Sequence, residues 1–390
     1  MKILIATESY YPTISGVSVF SRYLSLGLAK RGHEVHVICP SPILKSYTEH
    51  DHGVVLHRIR GRKNPFRENH RNSFMARPLI KHLFSTIKPD VVHLQDPLPT
   101  SRAVLKAAKV AQVPCVVTNH FSFDYVLSYL PLLKPLHPQL SKYLEGYLLK
   151  FYNQCDFITF PSETIQNQFK HLDLTSPSLA ISNGVDLEQF FPSFNYEELR
   201  IHFGIPKKKT VLHVGRLDQD KKPFTMLKAF GLVRKELDAH FVICGEGNKK
   251  EALIDLAESL NIQKHITFIG FIDHKIELPQ MYQMADVFVT GSEIETQGIV
   301  VLEAMASELP VVVANAGALP ELVEDGVNGY LCRPGDEIDM AKKLLKILQD
   351  PPLAAKMGQH SLEMVEEHQI ERSFDKFEHI YNQVVTHAHS

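Results

Sequence analysis

Two glutamates separated by seven residues, Glu295 and Glu303, are the side chains whose type and spacing most directly suggest chemistry. Carboxylates accept hydrogen bonds, so a pair of them suits the hydroxyl groups of a sugar or a ribose. They would not contact a phosphate directly, because like charges repel each other. A phosphate in the same site would need cations or free backbone N–H groups as its partners.

The elements around these acids form a strand–loop–helix–strand unit. Asp286–Thr290 and Pro310–Ala314 are short β-branched runs typical of buried strands, and a helical pattern starts at Gly298. Helical side chains lean toward the N-terminus, so Glu303 should point back toward the loop that carries Glu295. Because the N-terminus of a helix attracts phosphate, the stretch suits a sugar nucleotide. Acids near a helix start can also merely stabilise the helix, and the pair alone leaves both interpretations open.

The same stretch closely resembles the signature of family four retaining glycosyltransferases, since Glu303 is followed by Ala304-Met305-Ala306 and Pro310-Val311-Val312. In that family the first glutamate contacts the donor sugar and the second contacts the nucleotide ribose. The run Glu295-Thr296-Gln297-Gly298 departs from the commoner form, which has Phe before the Gly. It looks like the variant found in diacylglycerol glucosyltransferases and other glycolipid-making members. The resemblance implies donor contacts from Glu295, Thr296, Gln297, Gly298, Ile299 and Glu303.

A second βαβ unit begins at Thr210–Gly215 and carries two candidate phosphate ligands, Arg216 and Lys221. Arginine offers a rigid fork and lysine a point charge, and both suit a diphosphate. By resemblance these are the family's diphosphate-binding pair, with Lys222 as the alternative if the alignment slips by one residue. Further along, the resemblance implies donor contacts from Gly245 and Ile269. Backbone groups at Ile266–Gly270 and the residues after it usually hold the nucleotide base in this family.

Two other polar clusters could suggest a metal. Asp218-Gln219-Asp220 has the spacing of a metal site in a different glycosyltransferase fold, but the adjacent lysines would compete with a divalent cation. The histidines at 50, 52 and 57 are better interpreted as a surface loop. We therefore expect no essential metal and no cofactor, with the nucleotide sugar as a co-substrate.

The first half opens with a strand at 2–6, a loop at 7–17 and a helix, followed by a strand at 34–39. This is a βαβ unit, which is expected to be parallel and right-handed. Gly16 precedes the helix, where bare backbone can approach a ligand, although a turn glycine explains it equally well. The residues around Gly16 resemble the N-terminal opening of the same family, in which this loop lies against the donor diphosphate and the acceptor.

His120 follows the strand Pro114–Thr118, and Asp96 follows the strand Asp90–Leu94. Ligands of open α/β sheets bind beyond the carboxyl ends of the strands. A lone histidine is more often structural, but the family has a functional histidine after this strand. We therefore expect His120 to contact the transferred sugar or to align the acceptor, with Asp96 as the weaker candidate. The neighbours of His120 keep only part of the family's pattern.

Residues 57–82 form the most basic segment of the chain, with Glu68 as its only acid. Its cations are Arg58, Arg60, Arg62, Lys63, Arg67, Arg71, Arg77 and Lys81, interleaved with Phe66, Phe74, Met75, Leu79 and Ile80. Such a mixture suits an anionic membrane surface, although a solvated surface remains an alternative. No nucleic-acid recognition motif accompanies it. The apolar stretch 125–149 could line a lipid-accepting groove or belong to the core.

Composition limits the partners and the location. The formal net charge is −2, which gives no global reason to expect nucleic acid, and the five cysteines are far apart, as in a cytoplasmic protein with reduced thiols. The first strand starts directly after Met1, and no apolar run reaches the roughly 18 residues of a membrane span. We expect a cytoplasmic protein that binds peripherally to the inner face of the membrane.

The 390 residues suggest two domains. The resemblance covers nearly the whole chain and implies an α/β protein of the GT-B fold, with two Rossmann-like domains facing across a deep cleft. The expected parts are an acceptor-binding, membrane-associating domain at 1–184, a nucleotide-sugar-binding domain at 185–370, and a C-terminal helix at 371–390 that returns to the first domain.

The implied reaction moves a hexose, glucose from UDP-glucose, to a lipid hydroxyl such as that of diacylglycerol, with retention of configuration. His120, Glu295, Arg216 and Lys221 are the expected catalytic residues. A family member with another acceptor (an inositol lipid, a polysaccharide intermediate or a soluble molecule) is the first alternative. A non-catalytic nucleotide-sugar-binding protein is the second.

Overall fold

The computed structural model describes residues 1–13, 15–64, 67–73, 77–122, 135–191 and 196–389. The chain divides into two compact units. The first unit comprises residues 1–183 together with 371–390, and the second comprises residues 184–370. Each is an α/β unit built on a mainly or wholly parallel sheet, as the alternation of strand and helix patterns predicts.

The first unit contains an eight-stranded sheet and a separate two-stranded hairpin. In chain order its strands are β1 Lys2–Ala6, β2 Glu34–Pro40, β3 Tyr47–Asp51, β4 Val54–Ile59, β5 Gly61–Asn64, β6 Arg67–Ser73, β7 Val91–Leu94, β8 Cys115–Thr118, β9 Phe157–Phe160 and β10 Ser178–Ala180. The large sheet has the order β10-β9-β8-β7-β1-β2-β4-β3, and only its edge pair β3–β4 is antiparallel. The hairpin pairs β5 with β6.

Helices cover the sheet of the first unit and bury its apolar strands. They are Gly16–Lys30, Arg77–Ile87, Pro99–Ala111, His137–Tyr152, Glu163–Gln168 and, from the C-terminus, Ile370–His389. The C-terminal helix packs its apolar face into this unit: Phe377 is fully buried, and its ring lies 5.9 Å from that of Phe20. Gly27 faces the same helix, and a Cβ there would lie only 2.2 Å from the Phe374 ring. The missing side chain therefore lets the two helices approach closely.

The second unit contains a six-stranded sheet in which every pairing is parallel. Its strands are β11 Lys209–Val214, β12 Ala239–Cys244, β13 Ile266–Gly270, β14 Val287–Thr290, β15 Val311–Ala314 and β16 Gly329–Cys332, in the order β13-β12-β11-β14-β15-β16. Its helices are Leu187–Phe190, Glu197–His202, Pro223–Glu236, Lys250–Ser259, Glu277–Gln283, Ile299–Ala306, Glu337–Leu348 and Pro351–Val365, with short 3-10 turns at Gln219–Lys221, Gln263–His265, Leu319–Glu321 and Glu366–His368.

The core of the second unit lies on both faces of this sheet. Val211 points into one apolar cluster and its neighbour Leu212 into the other. Because helices cover both faces, the strands are nearly continuous apolar runs rather than alternating ones. The polar side chains that follow the strands are thereby left at the carboxyl edge of the sheet. Within the residues described above, no helix is both long and apolar enough to cross a membrane.

Candidate active site

The helix Ile299–Ala306 begins at a glycine whose backbone no other residue adopts easily. Gly298 has φ +98° and is the N-cap residue, so the helix starts one residue later than the pattern predicts. A Cβ at this position would lie 2.9 Å from the Leu319 side chain, so both conformation and space require glycine. Gln297 before it is buried, whereas Thr296 and Ile299 are half-buried. The result is a helix N-terminus with a sharply turned loop in front of it.

The predicted diphosphate ligand and the predicted sugar ligand meet at this loop. Lys221 ends the 3-10 turn after β11, and its Nζ lies 2.5 Å from Oε1 of Glu295. Both side chains are mostly buried, with 18% and 14% of their surface exposed. Lys222 has left-handed backbone, with φ 51°, and pairs instead with Glu293 at 2.9 Å. The fold thus separates the two candidate lysines, and only Lys221 contacts Glu295 in this way.

Arg216 faces the two acids whose spacing resembles a metal site. Its Nη1 forms an ion pair with Asp218, and its Nη2 lies 2.8 Å from Oδ2 of Asp220, which is buried. An arginine held between two carboxylates has its fork fixed in place, ready to exchange one anionic partner for another. Among the residues that the structure describes, no group of three or more His, Cys, Asp or Glu side chains is arranged to hold a metal ion.

Glu303 is almost fully buried, with 3% of its surface exposed, and each of its oxygens has a partner. His274 Nε2 lies 3.0 Å from Oε1, and the hydroxyl of Tyr282 donates to Oε2 at 2.8 Å. Burial raises the pKa of Tyr282 well above its usual range, which keeps this hydroxyl protonated. Burial acts to lower the pKa of His274, but the carboxylate of Glu303 outweighs it and the net pKa is raised.

Neither partner of Glu303 is among the site residues predicted from the sequence. His274 follows β13 by four residues and Tyr282 lies in the helix Glu277–Gln283, and both resemble ordinary loop and core positions in the sequence. The available signal was the position of His274 just beyond the apolar run Ile266–Gly270, because ligands of α/β sheets bind beyond the carboxyl ends of the strands.

Gly245 holds the ends of two neighbouring strands together. Its φ is +146°, and a Cβ would lie 1.9 Å from the carbonyl oxygen of Gly215, which precedes Arg216. No side chain fits between β11 and β12 at this point, so the requirement for glycine is already explained by packing. Ile269 is half-buried near the end of β13, the strand next to β12. The structure therefore puts both of these predicted donor-binding residues at one edge of the sheet.

His120 in the first unit is half-buried and carries a neutral imidazole. Burial lowers its pKa to about 3, and its Nε2–H donates to the side-chain oxygen of Gln95 at 3.0 Å. Gln95 directly follows β7 and was not predicted as a site residue. The other candidate, Asp96, accepts hydrogen bonds from the backbone N–H of Glu8 at 2.6 Å and of Leu98 at 3.0 Å. Burial, reinforced by the charge of Glu8, raises the pKa of Asp96 to about 7.

Comparison with known proteins assigns both halves of the chain. The family Glycosyltransferase Family 4 matches residues 14–189, and the family Glycosyl transferases group 1 matches residues 195–364. The chain is also 31% identical to an alpha-monoglucosyldiacylglycerol synthase of Acholeplasma laidlawii, over 93% of this chain and 92% of that protein. The chain belongs to the family 4 glycosyltransferases. The predicted family is thereby confirmed.

Other relatives of this glycosyltransferase differ in the reaction that their names describe. It is 27% identical to an N-acetyl-alpha-D-glucosaminyl L-malate synthase of Bacillus anthracis, over 99% of this chain and 98% of that protein. A sucrose-phosphate synthase structure from Thermosynechococcus elongatus matches 99% of both chains with a TM-score of 0.80 at 19% identity. This likeness, with the two parallel-sheet units, confirms the predicted GT-B fold.

Gly16 is the first residue of the helix Gly16–Lys30 and is exposed. Ser15 caps this helix: its hydroxyl accepts from the backbone N–H of Ser18 at 3.2 Å, and Ser18 returns a bond to the N–H of Ser15. The predicted loop of this glycosyltransferase therefore ends at a well-capped helix start. Such a start leaves other backbone N–H groups available for a ligand.

The basic segment of this glycosyltransferase is only partly a surface. Arg58 is 3% exposed and pairs with Glu49 at 2.7 Å, and Ile80 belongs to the apolar core, so neither can contact a membrane as predicted. Exposed cations do remain between β4 and β5, on the β5–β6 hairpin and on the next helix: Arg60, Arg62, Arg77 and Lys81. Phe66, Phe74 and Met75 lie outside the described residues, as do residues 125–134 of the apolar stretch 125–149. Within the remainder of that stretch, Leu136 is exposed and Leu148 is buried.

Proposed function

We propose that this glycosyltransferase moves glucose from UDP-glucose to a lipid hydroxyl, such as that of diacylglycerol, with retention of the anomeric configuration. The observation that carries the donor half is the 2.5 Å contact between Lys221 and Glu295, beside the N-terminus of the helix Ile299–Ala306. A cation, a carboxylate and free backbone N–H groups in one place suit a ligand with both phosphate and hydroxyl groups.

The charges of the second unit account for departure of the nucleotide. Arg216, Lys221 and the helix start at Gly298 would stabilise the negative charge that develops on the diphosphate as the bond to the sugar breaks. When a diphosphate takes Lys221 as its partner, Glu295 becomes available to accept hydrogen bonds from the sugar. Glu303 would hold the ribose hydroxyl groups in the same way.

Retention follows if the acceptor attacks on the face from which the diphosphate departs. The leaving phosphate oxygen then takes the proton of the acceptor hydroxyl, so no protein base and no metal is needed for that step. We assign His120 to the sugar or the acceptor, because a neutral imidazole can accept a hydrogen bond from a hydroxyl group at its free ring nitrogen.

The lipid acceptor is supported by the Acholeplasma relative, whose name describes synthesis of a glucosyldiacylglycerol lipid and which matches nearly the full chain. The exposed cations Arg60, Arg62, Arg77 and Lys81 suit an anionic membrane surface. Each basic side chain near such a surface contributes about 1 kcal/mol of attraction. We therefore propose that the protein binds peripherally to the inner face of the membrane.

A soluble acceptor is the second candidate. The Bacillus relative is similar over an even larger share of the chain, and its name describes transfer to L-malate, a small soluble acid. If this candidate is right, the exposed cations would be an ordinary solvated surface. A non-catalytic role is disfavoured because Arg216, Lys221, Glu295 and Glu303 are all present and clustered with charged partners.

The test is UDP or GDP release from UDP-glucose, UDP-galactose and GDP-mannose, each with diacylglycerol in anionic mixed micelles, with L-malate, or with neither. We expect UDP release that needs both UDP-glucose and diacylglycerol, and an α-linked product by NMR. Release stimulated only by malate would favour the soluble acceptor. Tight UDP binding without release under any condition would favour the non-catalytic alternative. Flotation with anionic vesicles tests the membrane surface separately.

A further inference from the structure

Glu303 is held from two sides by donors that come from different segments. His274 lies in the loop after β13 and Tyr282 in the helix Glu277–Gln283, and each donates to one carboxylate oxygen. The ring of Tyr282 is fully buried and contacts the ring of Phe190 edge to face at 5.7 Å. The carboxylate plane is thus fixed by two hydrogen bonds with rigid aromatic side chains behind them.

The imidazole of His274 is itself positioned by Gln189. The amide nitrogen of Gln189 donates to the backbone oxygen of His274 at 2.7 Å and lies 3.4 Å from its Nδ1. An amide N–H that faces Nδ1 favours the tautomer in which Nδ1 accepts and Nε2 carries the hydrogen. Nε2 then donates to Glu303 whether the ring is neutral or protonated. The ring of Phe190 packs edge to face against that of His274 at 5.8 Å.

We propose that His274 is a positioning residue that aims Glu303 at the two vicinal hydroxyl groups of the donor's ribose and thereby sets the affinity for the nucleotide. A carboxylate has about four lone-pair directions, two on each oxygen. His274 and Tyr282 take one on each oxygen, which leaves one on each for a ribose hydroxyl. The proposal rests on the ribose role of Glu303 in the proposed function. It adds His274 as the residue that makes this carboxylate selective for the ribose hydroxyl groups.

The test compares the binding of UDP and of 2′,3′-dideoxy-UDP by calorimetry, using the full-length protein. We expect wild type to bind UDP at least about tenfold more tightly than the dideoxy analogue, because two hydrogen bonds to a buried carboxylate are lost. In His274→Phe, which keeps a ring but removes the donor, the preference should fall below about threefold. His274→Gln places an amide N–H near the position of Nε2 and should restore most of the preference.

The preference is a ratio, so a general loss of folded protein does not change it. If His274→Phe does not fold, Gln189→Met is a second variant. It removes the amide that favours the tautomer with hydrogen on Nε2, so the preference for UDP over the dideoxy analogue should fall by about threefold. In steady-state assays the donor KM should rise in His274→Phe while kcat at saturating donor stays within about threefold, because the ribose is remote from the reacting bond.

The outcomes separate the inference from the proposed function. If His274→Phe binds UDP over the dideoxy analogue as strongly as wild type does, the proposed role of His274 is wrong. If His274→Phe does not fold, the same result with Gln189→Met leads to the same conclusion. A wild type that binds both ligands equally would remove the ribose role of Glu303 and the inference with it. If wild type binds GDP but not UDP, only the proposed uracil base of the donor is wrong. The same comparison with GDP and its dideoxy analogue would then decide the role of His274.

Discussion

The carboxyl edges of the two sheets carry opposite kinds of chemistry on similar architecture. In the second unit, the charged side chains predicted to bind the nucleotide sugar are each paired with an opposite charge or a strong hydrogen-bond donor. Examples are Lys221 with Glu295 and Glu303 with His274. In the first unit, the edge has the neutral imidazole of His120 and the amide of Gln95. The carboxyl groups beside them, Asp96 and Glu8, accept hydrogen bonds from backbone N–H and hydroxyl groups. Paired charges suit an anionic ligand that can replace one partner, whereas neutral groups suit hydroxyl groups. The difference lies in the side chains after the strands, because the strands themselves only form the core.

The largest effect should come from breaking the charged edge. Lys221→Met should lower kcat/KM for donor-dependent UDP release by about 10²–10³, the usual loss when a charge-stabilising donor is removed. Lys222→Met is the matched control, because Lys222 pairs with Glu293 instead, and it should lose less than about tenfold. Equal losses in steady-state assays of the two variants would mean that total charge, rather than the contact with Glu295, matters.

The close approach of β11 and β12 should make Gly245 the most sensitive backbone position of the charged edge. Gly245→Ala should lower the free energy of unfolding by about 3 kcal/mol or more, because its Cβ would overlap the Gly215 carbonyl at a φ of +146°. Gly146 of the first unit is the contrast: it lies inside the helix His137–Tyr152 with open space around its Cβ position.

Gly146→Ala should therefore raise stability by about 0.5–1 kcal/mol, as expected for glycine in a helix interior. Urea denaturation measures both variants. A Gly245→Ala protein as stable as wild type would show that the strand ends can move apart without cost.

A buried neutral histidine of the first unit, His93, should make the fold sensitive to acid. Burial lowers the pKa of His93 to about 3, whereas an unfolded histidine titrates near 6.5. Below pH 6.5 the unfolded chain binds a proton that the folded chain does not, so the free energy of unfolding falls as pH falls, by about 2 kcal/mol between pH 6.5 and 5 for one such group.

The pKa of His274 in the second unit is shifted in the opposite direction. Its raised pKa stabilises the fold below pH 6.5, and this contribution is lost as pH rises through the folded pKa. Urea denaturation at several pH values should show a shallower acid loss in His93→Gln than in wild type. His274→Gln should show no such flattening, and an equal effect of both variants would contradict the opposite pKa shifts of His93 and His274.

The smallest effect should come from replacing His120, which tests the role assigned to this residue in the first unit. His120→Phe should lower kcat about tenfold while the Kd for UDP stays within about twofold, because its imidazole is assigned to the sugar or the acceptor and not to the nucleotide. Single-turnover kinetics and calorimetry measure the two quantities. A rise in the UDP Kd with unchanged kcat would assign His120 to the donor nucleotide.

Much of the fold follows from local sequence. The strand Lys2–Ala6 has the predicted bounds, and the strands predicted at Asp90–Leu94 and Pro114–Thr118 begin one residue later, because a strand buried on both faces is a continuous apolar run between turn residues. The edge strand β3 does not stand out in the same way, since its five residues carry no aliphatic side chain and none of them is buried. Arg58 on β4 shows where local sequence misleads. Its sequence neighbours predict a surface cation, but in the fold it is buried and pairs with Glu49 on the neighbouring strand β3.

The sequence by itself determined the family and the kinds of charge in the site, because Arg216, Lys221, Glu295 and Glu303 stand in motifs whose spacing is local. Only the tertiary structure decided which partners these charges have. Selection of Lys221 over Lys222 depends on the turn after β11, and the contacts of Glu303 depend on packing of separate segments around one helix. Hydrogen bonds between residues distant in sequence need the whole fold to bring them within 3 Å, and no local pattern records that distance.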